Sequence, residues 1–125
     1  MLQALYAKHV SSEDEKKVLQ DINDRYQFDK PTKKFVDELF KSTIKNTDSL
    51  DKKIESSLEN WTLERINIID RLIMQMSICE MSLMQHYEIS HKVTISSAIE
   101  NAKKFSSEDS TAFVNGVLDS VYKKL

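Results

Sequence analysis

One glycine and one proline stand among 125 residues. Sandwiches and barrels of β-strands need turn residues at short, regular intervals, and this chain cannot supply them. The same shortage excludes phosphate-cradling loops, and no GxGxxG, GxSxG or P-loop run occurs. The single cysteine, Cys79, rules out an internal disulfide framework and fits a reducing compartment. His9, His86 and His91 fall at no metal-ligand spacing, so neither a metal nor a cofactor is expected. Arginine is scarce too: Arg25, Arg65 and Arg71 are the only three among 18 cations. The lysines that make up the rest act as point charges rather than forks. A net charge of −2 leaves no global surface for a polyanion, so any nucleic-acid contact must be local. The most apolar stretch, residues 66–84, carries Asp70, Arg71 and Glu80, which argues against a membrane span. No basic–apolar–small leader pattern opens the chain, and the expected compartment is the cytoplasm.

What is present is helical periodicity. The spacing predicts an all-α fold, a compact bundle of six to seven helices around a central apolar one, in a single domain over residues 1–125. Leu2, Leu5 and Tyr6 give one face of a first helix. Ser12 and Glu15 have capping-box spacing ahead of a Val18, Leu19, Ile22 and Tyr26 stripe. Pro31 suits a first helical position, and Phe35, Val36, Leu39, Phe40 and Ile44 follow. Thr47 or Asp48 can cap a fourth helix bearing Leu50, Ile54 and Leu58. Thr62 can cap the fifth and longest helix, running to about Met84. Its apolar residues point almost all round, as in a helix enclosed by others. Residues 85–93 read as the main loop. Thr94 can cap a sixth helix and Ser107 a seventh.

In the last helix Val114, Val117, Leu118, Val121, Tyr122 and Leu125 share one stripe. Phe113 falls roughly 115° from its centre, on the same side as Asp109 and Gly116. A ring off the core face, beside a residue that leaves the backbone open, makes a docking surface. The plainer reading is that Phe113 packs against a neighbouring helix and Gly116 permits close helix approach.

Other constellations read as structure. Cys79 and the set Met74, Met76, Met81 and Met84 suit core filling better than a nucleophile or a ligand pocket. Glu108 and Asp109 suit a helix N-terminus, where the dipole already accounts for them. Catalysis has no residue pattern here, and the chain is not expected to be an enzyme.

Several runs in the second half are distinctive: Glu64 to Ile73, Lys92 to Ile95, Ala98 to Phe105, Ser106 to Ser110, and above all F-V-N-G-V-L-D at Phe113–Asp119. With Gln3-Ala4-Leu5-Tyr6 near the start, they resemble the NusB family of bacterial transcription antitermination proteins. The resemblance is strong over residues 61–125 and thin over 7–60.

That resemblance implies a bundle of two helical subdomains without catalysis. It implies binding of boxA-type single-stranded RNA together with NusE, a small-subunit ribosomal protein, and loading onto RNA polymerase to support ribosomal RNA transcription. It assigns Phe113, Asp109, Ser110 and Asn115 to RNA bases or riboses, and Lys92, Lys103 and Lys104 to phosphates. It assigns Tyr6, Glu64 and Asp70 to the NusE-like partner, where carboxylates suit a basic protein. Read from their surroundings alone, Tyr6 is core, Glu64 a dipole partner, and Asp70 the mate of Arg71 or a neighbour.

Three departures from the family pattern stand out. No arginine-rich segment precedes Q-A-L-Y, which would weaken RNA binding or mark a trimmed chain. Ser106 stands where the family has glycine, and Ser97 where it has an acid. Two other readings remain open at this point: an accessory domain of a ribosomal RNA methyltransferase, and a protein-only helical adaptor. Monomer and homodimer are both compatible with the sequence.

Overall fold

A computed structural model describes residues 2–11, 14–59 and 62–125. Among them are seven α-helices, two 3-10 turns and no strand. The helices are α1 (Leu2–Ser11), α2 (Glu15–Tyr26), α3 (Lys30–Lys45), α4 (Thr47–Glu55), α5 (Ile68–Leu83), α6 (His91–Phe105) and α7 (Glu108–Lys123). Helix α5 packs on α1, α3, α4, α6 and α7. Every side chain from Leu72 to Cys79 is buried, including Gln75 and Ser77, so the helix apolar nearly all round is indeed the enclosed one. Met74, Met76, Met81 and Met84 are all core, and burial pushes the Cys79 thiol up, away from the reactive thiolate.

Helix boundaries follow capping chemistry, and several differ from the sequence expectation. Ser12 lies outside the described residues; Asp14 caps α2, accepting from the Lys16 N–H at 3.2 Å. Asp29 caps α3 and Pro31 sits in its first turn, where a missing N–H costs nothing. Thr47 does not cap α4: its hydroxyl donates back to the Thr43 and Ile44 carbonyls of α3, at 3.0 and 2.9 Å. Leu58 falls beyond the end of α4.

Thr62 does not start the long helix either. It precedes a 3-10 turn at Leu63–Arg65, and Asn67 is the true cap of α5, accepting from the Asp70 N–H at 2.9 Å. The expected loop over 85–93 is shorter than predicted. It holds a 3-10 turn at Gln85–Tyr87, and Ser90 caps α6 ahead of His91. Thr94 is buried and its hydroxyl donates instead to Glu80 at 3.0 Å. Ser107 caps α7 as expected.

With the one glycine in the middle of α7, the left-handed positions among the described residues are Gln27 (φ 48°) and Glu88 (φ 57°). Tyr26, expected on the buried stripe of α2, is 47% exposed, and Phe105 at the end of α6 is 41% exposed.

Candidate functional site

The junction of α5 with the α6–α7 turn is built from short polar side chains. Asn67 caps α5 with its oxygen and, through its amide nitrogen, reaches the Asp70 carboxylate at 3.1 Å and the Ser106 hydroxyl at 3.2 Å. Ser110, in the first turn of α7, donates to Asp70 Oδ2 at 2.7 Å. Ser106 and Ser110 hydroxyls lie 3.0 Å apart. Ser106 serves here through its hydroxyl rather than through a left-handed backbone, its φ being −121°.

Beside this network opens a cavity of about 250 Å³ lined by Arg65, Ile66, Asn67, Asp70, Asp109, Ser110 and Phe113. Phe113 is half-buried: its ring packs on the core edge and also walls the cavity. Asp109 is exposed one turn earlier on the same face of α7. Asp70 is only 5% exposed, and its Oδ1 has no hydrogen-bond partner among the described residues. The lining carries one cation and two carboxylates, with Arg65 as the cation. Nothing in the sequence pattern set Arg65 apart; only the break between the 3-10 turn and α5 turns it to this cavity.

A Cβ built on Gly116 meets nothing within 4 Å. Among the described residues no helix approaches there, which corrects the close-approach reading and leaves the α7 backbone open near Phe113.

The remaining assigned residues divide. Asp70 and Ser110 are buried and bonded to each other, so neither is a surface contact; they can be reached only through the cavity. Asp70 does not pair with Arg71, whose guanidinium grips Asp51 at 2.7 Å. Asn115 is exposed but sits two residues on from Phe113, about 200° around the helix axis and outside the cavity lining. Lys103 and Lys104 are exposed in the last turn of α6, next to Ser106, whereas Lys92 stands at the opposite end of that helix, roughly 17 Å away. Tyr6 is 42% exposed, not core, and Glu64 is exposed on the 3-10 turn.

A model of the NusB family matches residues 1–123. The chain belongs to the NusB family. Among relatives, the transcription antitermination protein NusB of Bacillus mycoides (strain KBAB4) is 39% identical over 120 residues, covering 96% of this chain and 89% of that protein. The solved NusB of T. maritima superposes with a TM-score of 0.87 at 31% identity, covering 98% of this chain and 85% of that one. Antitermination factors NusB and NusE in complex with double-stranded RNA match with a TM-score of 0.87, covering 99% of this chain and 91% of that one. At 19% identity that last likeness concerns the fold. Among the described residues of this NusB-family chain, no helix is long and apolar enough to cross a membrane.

Proposed function

We propose that this chain is an antitermination factor that binds boxA-type single-stranded RNA jointly with a NusE-like small-subunit ribosomal protein. In this reading it acts in the cytoplasm, as part of the RNA polymerase antitermination complex, and supports ribosomal RNA transcription by binding rather than by catalysis. The observation that carries it is the half-buried Phe113 ring walling an open cavity beside an unobstructed stretch of α7. A base stacks on such a ring, and stacking is the contact that single strands offer and duplexes withhold. Arg65 and Asp109 at the rim supply a donor fork and an acceptor for base or ribose edges. Lys103 and Lys104, in the last turn of α6, supply phosphate contacts. The family membership and the names of the relatives support the same reading over a methyltransferase accessory domain.

Exposed Tyr6 and Glu64 are the partner-facing residues of this proposal, and Asp70 acts behind the surface by holding Ser110. The test is RNA affinity with and without the ribosomal partner across a salt series. The partner should strengthen binding, and the logarithmic salt slope should be about 0.7 per phosphate contact. Equal affinity with and without the partner would count against joint recognition.

A further inference from the structure

Two of the aromatic residues that the fold leaves unexpectedly exposed, Tyr26 and Phe105, lie on one groove. Tyr26 ends α2, and the left-handed Gln27 turns the chain so that Phe28 stacks against Tyr26, centroids 5.6 Å apart and planes 12° from parallel. Asn101, Lys104 and Phe105 share the facing side of α6, at spacings of three and four residues. Lys104 Nζ lies 5.2 Å from the Phe105 ring centre. Together with Gln3 of α1 they enclose about 310 Å³ over an apolar floor. Gln3 accepts from the Tyr26 hydroxyl at 2.7 Å, which fixes that ring.

Single exposed apolar residues are ordinary, but three rings on one groove form a patch. Among the described residues, the groove lining holds the Lys104 ammonium as its one charge and no carboxylate. An aromatic trough with a cation and two side-chain amides matches a stacked base with its phosphate; a cationic ribosomal protein would meet like charge. The groove also continues the proposed interface: Phe105 adjoins Ser106, which bonds to Asn67 and Ser110 of the Phe113 cavity.

We infer that the Tyr26–Phe28–Phe105 groove is a second stacking platform, holding nucleotides that flank the segment bound at Phe113. This rests on the RNA reading above. Ring stacking tolerates any base, so the platform adds affinity with little sequence preference, and the Lys104 ammonium offers a phosphate contact beside the rings.

The experiment uses the full chain with saturating ribosomal partner and two RNAs: a short boxA-type strand, and the same strand extended by a run of adenylates at either end. Wild type should bind the extended strand about tenfold more tightly. Tyr26→Ala and Phe105→Ala should each remove most of that gain while leaving the short strand's affinity unchanged, and Tyr26→Phe should keep it. Circular dichroism checks the fold. An extension gain that survives in both alanine variants, or no gain in wild type, overturns the groove while Phe113→Ala still reports on the first site. Weakened partner binding with unchanged RNA binding reassigns the groove to protein and also overturns it. Failure of wild type to bind either strand brings down the RNA reading itself.

Discussion

Ser110 Oγ donates to Asp70 Oδ2 across the α5–α7 junction at 2.7 Å, and this bond holds the first turn of α7 against the central helix. Both residues are buried, and the other carboxylate oxygen has no partner among the described residues. Ser110→Ala withdraws a donor from a buried carboxylate and should cost about 1–3 kcal/mol in urea unfolding. It should also weaken RNA binding, because Phe113 is carried by the same turn. Unchanged stability would show that Asp70 is solvated in a way its burial does not allow.

Arg71 forms a forked contact with Asp51, and Gln75 adds a third bond to the same carboxylate at 2.7 Å. These bonds tie α4 to α5. Asp51→Ala leaves a guanidinium and an amide without their acceptor. The loss should be about 2 kcal/mol, below the usual figure for a fully buried pair because the Arg71 side chain is 28% exposed. A urea midpoint within error of wild type would contradict this.

Gly116 sits mid-helix with open space around its Cα. Gly116→Ala should therefore stabilise the fold by up to about 1 kcal/mol through helix propensity alone. A lower melting temperature would mean that something packs there. If RNA affinity falls while stability rises, the open backbone serves the ligand rather than the fold.

Burial pushes the Glu80 carboxyl above its ordinary range, and the Thr94 hydroxyl pulls it partly back. The folded state thus holds this proton more tightly than the unfolded chain. Its contribution is fully present below the unfolded value, near pH 4.3, and is lost as pH rises through the folded value. Glu80→Gln keeps an acceptor for Thr94 without the charge. It should raise the melting temperature at neutral pH, with the gain shrinking towards about pH 4. A gain that grows on acidification would reverse the assigned sign.

Much of this was legible in the sequence. The apolar surround of 72–79 located the central helix, and the Val114–Leu118–Val121 stripe of α7 left Phe113 off the core face. Capping was less legible, because several polar residues compete at each boundary. Thr62, Thr47 and Thr94 all looked like caps, yet their neighbours Asn67, Asn46 and Ser90 hold those positions. Asp70 and Ser110 matched family positions, but their burial depends on a contact forty residues apart that no local pattern encodes. Arg65 and the Tyr26–Phe105 groove were invisible for the same reason: each depends on where one helix ends against another.

The central claim is that Phe113 is a base-stacking ring. Affinity of the short single-stranded RNA, measured with the ribosomal partner saturating, tests it most directly. Phe113→Ala should lose about tenfold or more, with the helical content intact. Affinity equal to wild type in a folded Phe113→Ala variant would contradict the account.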